Sequence, residues 1–388
     1  MKASLETSTF KENLLIRLGI DSRDVFQTHP RGVGKAVRTL ITHLLPLLPE
    51  WQVTLFTNRN GNIHFSEPAS IKHIDMPGDR FNAWENIRLP ISALTHRLDL
   101  LHCPGQTAPS VSPCPFVLTV HDLIPVRIDD GWSSAQIDGF RRSLSKHAAR
   151  ARRIIAVSNF TKTDLLDFCR VSEDKIDVVH WGVQPVVQAK DDENQCRELL
   201  QSLGLAGPFF TAFAGGAPRK NVARILEALA RFVQEVSQDV QLALLGVPDE
   251  IKHTLKTAVE RLGLEKHLVL IGYLPQESVW QLLGNSEAML YPSLYEGFGL
   301  PILEAMAAGA PVITSNVTSM PEVAGDAAIL VDPTNVGAIM DAMRECYLKD
   351  GAKDEMRAKG YRRIGGFTWE KAAAATRLTY ERALNLNV

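Results

Sequence analysis

Short apolar runs alternate with longer amphipathic runs along the chain. Residues 14–20 and 51–56 have the bulk and length of buried strands, and residues 34–48 between them repeat apolar side chains at helical spacing. The alternation continues through strands predicted at residues 98–102, 116–120, 153–157 and 176–179. Such strand–helix alternation is typical of a parallel sheet covered by helices. The first half of the chain therefore predicts one doubly wound α/β domain.

The pattern is interrupted at residues 182–198 and then starts again. This interval is rich in Asp, Glu and Gln and has few apolar residues after Val187, so it is interpreted as a linker. Beyond it, helices again alternate with strands predicted at residues 209–214, 241–245, 269–271, 288–291, 311–314 and 328–331. The chain therefore predicts two domains of the same α/β class, and ligands of such sheets bind at the carboxyl ends of the strands.

Composition narrows the class of protein. A length of 388 residues suits two domains, and 42 Lys and Arg against 44 Asp and Glu argue against a nucleic-acid binder. Five cysteines without CxxC spacing argue against a disulfide framework or a cysteine-rich zinc site. We find no signal peptide and no apolar run of about 20 residues that would span a membrane. These features predict a cytoplasmic protein.

Residues 291–309 carry the richest chemical pattern. Gly297 and Gly299 follow a predicted strand and leave backbone N–H groups accessible, and Pro301 suits the first turn of the next helix. A glycine-containing loop that leads into a helix N-terminus favours anions such as phosphate. Glu296 in the loop and Glu304 in the helix can border one ligand and accept hydrogen bonds from sugar hydroxyls. The alternative is a surface loop with two solvated glutamates.

Segment 296–313, EGFGLPILEAMAAGAPVI, resembles the E-x7-E segment of retaining GT-B glycosyltransferases, specifically glycosyltransferase family 4. The resemblance continues through Glu322 and Asp332. It implies a GT-B fold, in which two Rossmann-like, doubly wound parallel-sheet domains face a central cleft. Residues 1–183 would form the acceptor domain and residues 184–368 the donor domain. The C-terminal helix, about residues 369–388, would pack back on the acceptor domain.

The resemblance also implies roles for this segment. Glu296 would contact hydroxyls of the donor sugar, and Glu304 would bind the ribose hydroxyls. The backbone that faces the donor sugar and its diphosphate would belong to Gly297, Phe298, Gly299 and Leu300.

A second glycine turn lies within residues 213–229. Gly215 and Gly216 permit close backbone approach, while Arg219 and Lys220 bring two positive charges that can neutralise a leaving diphosphate without a metal. The resemblance places Lys220 at the diphosphate-binding lysine of the family. Many members have an arginine six residues earlier, where this chain has Ala214. Either Arg219 supplies the second charge or one phosphate contact is weaker, and an ordinary surface turn is the alternative.

The first half of the chain has two weaker signals. Gly32 and Gly34 fit neither GxGxxG nor a P-loop, but they resemble the family's first glycine loop, which faces the diphosphate. His121 ends a predicted strand, and the resemblance implies that it borders the donor sugar. A histidine that only stabilises a turn is the alternative.

The resemblance as a whole implies a retaining hexosyltransferase of bacterial polysaccharide biosynthesis, with Glu296, His121, Lys220 and Arg219 at its catalytic centre. The mechanism implied by the family is same-face substitution, in which the leaving phosphate oxygen takes the proton of the acceptor hydroxyl. The donor would be a UDP- or GDP-hexose such as UDP-glucose or GDP-mannose, with its base near Tyr273 and Leu274. No metal or other cofactor is expected. The Asp129–Asp130 and Asp191–Asp192 pairs are interpreted as solvated turns.

Three alternatives remain: a non-catalytic sugar-nucleotide binder of the same fold, a glycosyltransferase that acts on a soluble acceptor, and a different cleft enzyme such as a nicotinamide-dependent oxidoreductase, against which the missing GxGxxG argues. A lipid-linked glycan acceptor is suggested by a basic segment at residues 140–153, where six Lys or Arg and one acidic residue lie between Asp138 and Arg153. A basic helix can contact anionic lipid at the inner face of the membrane, although most charge runs are solvated faces. The cations at helical spacing are Arg142, Lys146, Arg150 and Arg153.

Overall fold

The computed structural model describes residues 15–23, 25, 32–58, 71–76, 83–185, 193–349 and 351–386. Residues 1–14, residues 28–31 and the Asp191–Asp192 pair lie outside these ranges, and so do residues 186–190 of the predicted linker.

Within the described residues, the first half of the chain forms a sheet of seven parallel strands. They are β1 (Arg17–Asp21), β2 (Gln52–Thr57), β3 (Ile71–Asp75), β4 (Leu100–Cys103), β5 (Phe116–Val120), β6 (Arg153–Ala156) and β7 (Ile176–Val178). Their order across the sheet is β3–β2–β1–β4–β5–β6–β7. The order reverses between β1 and β4, which is the point where doubly wound sheets bind ligands.

The second half repeats this arrangement with six parallel strands in the described part of the chain. They are β8 (Phe209–Phe213), β9 (Gln241–Leu245), β10 (Leu268–Ile271), β11 (Met289–Tyr291), β12 (Val312–Ser315) and β13 (Ile329–Val331). Their order is β10–β9–β8–β11–β12–β13, so the reversal falls between β8 and β11. The predicted pair of Rossmann-like parallel-sheet domains is confirmed.

Helices cover both sheets because their apolar residues fall on one face. In the N-terminal half the helices are α1 (Gly32–Leu44), α2 (Leu89–Thr95), α3 (Ile124–Arg127), α4 (Ser134–Arg150) and α5 (Asn159–Cys169). A π-helical turn at Trp84–Arg88 precedes α2. In the C-terminal half they are α6 (Glu193–Ser202), α7 (Val222–Glu235), α8 (Asp249–Leu262), α9 (Gln276–Asn285), α10 (Leu300–Ala307), α11 (Met320–Ala324), α12 (Val336–Leu348), α13 (Ala352–Ile364) and α14 (Trp369–Ala383).

Helix α14 leaves the second sheet and contacts the first one. It packs along α1, and the Tyr380 hydroxyl lies 2.7 Å from His102 Nδ1 at the end of β4. The Arg377 guanidinium donates to the Leu47 carbonyl at 2.9 Å. Burying the aromatic side chains of α14 against α1 ties the two halves of the chain together.

Most predicted elements agree with the structure to within two or three residues, but several were not predicted. These are β3, α2, α3, α6, α11 and α13, and α6 begins inside the segment interpreted as a linker. The predicted helix 34–48 starts earlier, at Gly32, and gives way to a 3₁₀ turn at Leu45–Leu47, where Pro46 removes a backbone donor. In the described part of the chain, no helix combines the length and apolar character needed to cross a bilayer.

Candidate functional site

The residues of the E-x7-E segment lie where the order of the second sheet reverses. Strand β8 ends at Phe213 and leads into the Gly215–Gly216 turn, whose two residues have φ of +56° and +72°. The neighbouring strand β11 ends at Tyr291 and leads into the loop that carries Glu296. Parallel neighbours end at the same edge, so the two loops form one site.

An ion pair between Lys220 and Glu296 occupies the centre of this site. Lys220 Nζ lies 2.7 Å from Glu296 Oε1 and 2.6 Å from the Tyr291 hydroxyl. Burial alone would raise the pKa of Glu296, but the charges of Lys220 and Arg219 outweigh it and hold the pKa below its usual value. Burial lowers the pKa of Lys220, and the Glu296 carboxylate opposes that shift. Removing either partner of a buried ion pair destabilises the protein, because the other charge is left buried and uncompensated.

Arg219 faces the same site with guanidinium N–H groups that make no hydrogen bond to the described residues. Its backbone N–H donates to Asp130 Oδ1 at 2.9 Å, which links the second domain to the first. Its Nε lies 3.7 Å from Asp130 Oδ2, and both Nε and Nη1 are buried without a hydrogen-bond partner among the described residues. Buried guanidinium donors without partners are costly. They are consistent with a site for an anion.

The loop after Glu296 is pressed against the N-terminal domain. A Cβ atom at Gly297 would lie 1.8 Å from the His121 carbonyl oxygen and 2.8 Å from Asp122 Cβ. The Gly297 carbonyl accepts hydrogen bonds from the hydroxyls of Ser158 at 2.6 Å and Thr161 at 3.0 Å. Only glycine allows this approach. The loop therefore brings Glu296 directly beside β5.

His121 is buried at the end of β5 with one nitrogen available. Its Nε2 lies 2.6 Å from the Pro104 carbonyl, and since a carbonyl only accepts, Nε2 carries the proton. Nδ1 is then an acceptor, and it is buried with no partner in the described ranges. Burial lowers the pKa of His121 to about 4. The neutral ring can accept a hydrogen bond from a ligand hydroxyl.

Glu304 lies on α10, at a second place where the two domains meet. Its Oε1 is 3.7 Å from Lys35 Nζ on α1, and Lys35 also donates to the Gln276 side chain. Burial raises the pKa of Glu304, and the Lys35 charge partly opposes that shift. These groups border a pocket lined by Lys35, Ala36, Thr39, Gly182, Val183, Gln184, Trp280, Leu300, Glu304 and Trp369.

The remaining predicted residues are distributed around this pocket and the ion pair. Gly32 and Gly34 lie in the first turn of α1, one turn or less from Lys35, rather than in a loop before the helix. Tyr273 and Leu274 follow β10, and Tyr273 is 81% exposed. Phe298 is buried, Gly299 caps α10, and Leu300 begins it.

Two interpretations from the sequence are wrong. Asp130 is not a solvated turn residue, because its side chain is 7% exposed and holds Arg219. The basic helix ends at Arg150, and Arg153 lies in β6, where Asp177 binds it at 2.6 Å. Ala151 already has extended backbone, which turns Arg153 away from the face that carries Arg142 and Lys146.

Sequence reasoning assigned no role to two residues that support the site, although Glu322 belongs to the segment that resembles the family. Asn221 donates to the carbonyls of Pro292 at 2.9 Å and Pro333 at 2.7 Å and fixes the loop after β11. Glu322 accepts from the backbone and side chain of Asn159 and from His180, which joins α11 to the start of α5. Only their position in or beside the family motifs indicated in the sequence that these residues support the site, because their hydrogen-bond partners are distant in the chain.

We searched the described residues for a group of three or more His, Cys, Asp or Glu side chains arranged to hold a metal ion and found none. The polar groups that converge on the site are instead two cations and a carboxylate. Such a set matches the charges of a phosphorylated sugar.

Comparison with known families agrees with this geometry. The family described as "Glycosyltransferase Family 4" matches residues 30–186, and "Glycosyl transferases group 1" matches residues 201–363.

Relatives extend the match. The chain is 30% identical over 266 residues to O-antigen chain mannosyltransferase B of Escherichia coli, which covers 68% of this chain and 70% of that protein. It is 27% identical over 266 residues to the serotype-specific mannosyltransferase WbdA of Escherichia coli, but spans only 32% of that longer protein.

A solved structure shares the fold. The crystal structure of Anabaena Alr3699/HepE in complex with UDP-glucose aligns with a TM-score of 0.71 at 18% identity, over 95% of this chain and 98% of that one. At this identity the likeness shows the architecture alone. With two Rossmann-like domains, two glycosyltransferase family models that together match most of the chain, and a mannosyltransferase relative matched over 70% of its length, the chain belongs to the GT-B glycosyltransferases of family 4.

Proposed function

We propose that this glycosyltransferase is a retaining enzyme that moves a hexose from a nucleotide sugar to an acceptor hydroxyl in bacterial polysaccharide biosynthesis. The observation that carries the proposal is the buried Lys220–Glu296 pair with Arg219 beside it, whose Nε and Nη1 have no hydrogen-bond partner among the described residues. A diphosphate offers oxygens to these Arg219 donors and to Lys220, and a sugar offers hydroxyls to the Glu296 carboxylate.

In the proposed reaction, the bond between the sugar C1 and the leaving phosphate oxygen breaks as the acceptor oxygen bonds to the same face of C1. The acceptor hydroxyl gives its proton to the leaving phosphate oxygen, so atoms and charges balance. Lys220 and Arg219 stabilise the negative charge that develops on the diphosphate. Nδ1 of the neutral His121 ring accepts a hydrogen bond from a hydroxyl of the donor sugar and so holds the sugar in place.

We assign the nucleoside end of the donor to the pocket beside Glu304. The Glu304 carboxylate would accept hydrogen bonds from the ribose hydroxyls. Lys35 Nζ, 3.7 Å from Glu304 Oε1, would hold the carboxylate in position. The base would lie near the backbone of Tyr273 and Leu274, and the amides at the starts of α1 and α10 would face the diphosphate. A GDP-hexose is the first donor to test because the relatives include mannosyltransferases, and a UDP-hexose is the second.

The N-terminal sheet with α14 would form the acceptor domain, and the C-terminal sheet would form the donor domain. The enzyme would work in the cytoplasm without a bound metal. Peripheral contact with anionic lipid would use Arg142, Lys146 and Arg150, which are exposed on α4. Arg153 would not take part, because Asp177 binds it.

The test is to incubate the protein with GDP-mannose or UDP-glucose and an α-mannoside acceptor, and to measure the one-bond C1–H1 coupling of the product by NMR. The proposal expects release of the nucleoside diphosphate and a product with the α configuration of the donor. A β-linked product would contradict retention. Binding of donor without any release of nucleoside diphosphate would instead support a non-catalytic binding protein.

A further inference from the structure

The N-terminal sheet has its own pocket at the point where its strand order reverses. Residues that follow β1 and β4, namely Arg23 and residues 105–107, form one wall, and residues of α4 form the opposite wall. The pocket has a cavity volume of about 570 Å³. Sites for small ligands usually measure roughly 300–1,000 Å³. There is therefore room for more than one sugar ring. We call it the Trp132 pocket; it is lined by Arg23, Gly105, Gln106, Thr107, Asp122, Ile124, Pro125, Asp130, Trp132, Gly139, Phe140, Ser143, Leu144 and Arg219.

Its walls combine an aromatic face with carboxylates. Trp132 is 44% exposed, an unusual position for so large an apolar side chain, and it shares the pocket with Phe140. Asp122 Oδ1 accepts the Ile124 N–H at 3.1 Å, and Oδ2 has no hydrogen-bond partner among the described residues. An exposed indole beside an available carboxylate oxygen suits a sugar, which offers C–H groups on one face and hydroxyls at its edge.

The charges of the pocket exclude an anionic occupant. The Arg23 guanidinium is already neutralised by Asp21 at 2.6 Å and Glu85 at 2.5 Å. Asp122 and Asp130 then face the single remaining cation of the lining, Arg219. A phosphate or pyrophosphate group here would meet two carboxylates and be repelled. An uncharged ligand suits these walls.

The inner end of the pocket reaches the proposed donor site. Asp122 Cβ lies 2.8 Å from the position a Cβ would take on Gly297, next to Glu296. Arg219 lines the pocket and also lies beside the Lys220–Glu296 pair. A ligand that fills the pocket down to Asp122 therefore places its terminal hydroxyl next to the donor sugar.

We propose that the Trp132 pocket binds the end of an uncharged glycan acceptor, with a sugar ring stacked on Trp132 and a terminal hydroxyl held by Asp122. The inference rests on the proposed function, and it names the acceptor class: a neutral sugar chain enters this pocket, and any lipid phosphate of the acceptor lies outside it. Asp130 positions Arg219 rather than the acceptor, since its Oδ1 already accepts the Arg219 N–H.

The test compares wild-type protein with Trp132→Ala and Asp122→Asn. A linear α-linked mannotriose is the neutral probe, farnesyl diphosphate is the anionic lipid probe, and their dissociation constants are measured by NMR titration. The expected result is that Trp132→Ala weakens mannotriose binding about tenfold and leaves binding of GDP and UDP within about twofold. Tyr361→Ala is the matched control, because Tyr361 is 45% exposed on α13, away from the pocket.

The inference is overturned if wild-type protein does not bind mannotriose, or if Trp132→Ala binds it as tightly as wild type. It is also overturned if farnesyl diphosphate binds in a Trp132-dependent manner. Removal of an exposed side chain leaves the fold intact, so the variant remains measurable. Hydrolysis of GDP-mannose and UDP-glucose is measured in parallel. Failure of wild type to bind or hydrolyse either donor would reject the proposed function, while the mannotriose titration still decides the pocket.

Discussion

Both sheets of this protein carry a site where their strand order reverses, but the two sites are built differently. The one on the C-terminal sheet is made by two loops that each lead into a helix, and its charged groups, Lys220 and Glu296, are 2.7 Å apart. The one on the N-terminal sheet is a pocket around Trp132, assembled from four segments of the N-terminal half and from Arg219. The same fold can thus present a compact charged site for a diphosphate and an open aromatic site for a glycan.

The largest effect is expected from breaking the charged site. Lys220→Ala removes a cation from the diphosphate and leaves the Glu296 carboxylate buried beside Arg219 alone. Transfer should fall by about 100- to 1,000-fold in kcat/KM, as when one preorganised charge is lost from a transition state. Steady-state release of nucleoside diphosphate measures this effect.

Lys349→Ala is the control for that variant, since Lys349 forms an exposed ion pair with Glu345 at 3.4 Å on α12. A circular dichroism melt of each variant shows whether it is folded. A folded Lys220→Ala variant with full activity would rule out the proposed role of this lysine.

The charged site could be predicted because each half of it is a short contiguous motif that resembles glycosyltransferase family 4. Glu296, Gly297 and Glu304 fall within one loop and helix, Lys220 follows a second glycine turn, and the resemblance implied that both halves bind one donor. The Trp132 pocket could not be predicted this way. Trp132, Asp122 and Arg23 come from separate loops, and only the strand order brings them together. Asp130 was misread for the same reason, because its partner Arg219 lies 89 positions away in the chain.

The next prediction concerns the close contact between Gly297 and His121, which lies between the Lys220–Glu296 site and the Trp132 pocket. In Gly297→Ala the new methyl group would overlap the His121 carbonyl, which lies 1.8 Å from the Cβ position, so the domains must move apart. Displacing reacting groups by an ångström costs about 100-fold in rate, so transfer should fall by about that factor. Small-angle X-ray scattering should show a larger radius of gyration.

Gly272→Ala is the matched control, because a Cβ at Gly272 meets nothing within 4 Å. Unchanged scattering together with unchanged activity in Gly297→Ala would mean that close contact between the domains is not required.

A change of pH should have a smaller effect on activity, and this effect should arise at the Trp132 pocket and not at the Lys220–Glu296 site. Burial raises the pKa of Asp122 to about 6. Its carboxylate, which binds the acceptor in our proposal, is protonated as the pH falls through 6, so kcat/KM for the acceptor should drop about tenfold between pH 7 and pH 5. His121 stays neutral over this range because its pKa is lowered to about 4.

In Asp122→Asn, kcat/KM for the acceptor should be low at every pH and should not fall further between pH 7 and pH 5. Persistence of the same limb in Asp122→Asn would assign the titration to another group and remove Asp122 from acceptor binding.

The smallest effect is expected at the ribose. Glu304→Gln keeps the shape of the side chain but replaces charged hydrogen bonds by neutral ones, which differ by about 1 kcal/mol. The dissociation constant of the nucleoside diphosphate should rise about fivefold with kcat almost unchanged. Glu345→Gln, in the exposed pair with Lys349, is the control. Equal affinities of Glu304→Gln and wild type would place the ribose elsewhere.

The most direct measurement is calorimetric titration of GDP, UDP and mannotriose into wild type, Lys220→Ala and Trp132→Ala. The account predicts that the Lys220–Glu296 site binds the donor and the Trp132 pocket binds the acceptor. Lys220→Ala will then weaken, at least tenfold, binding of the nucleotide that wild type prefers, and it will leave mannotriose binding unchanged. Trp132→Ala will do the reverse. Loss of both ligands in both variants, or of neither, would contradict the assignment of donor and acceptor to separate pockets.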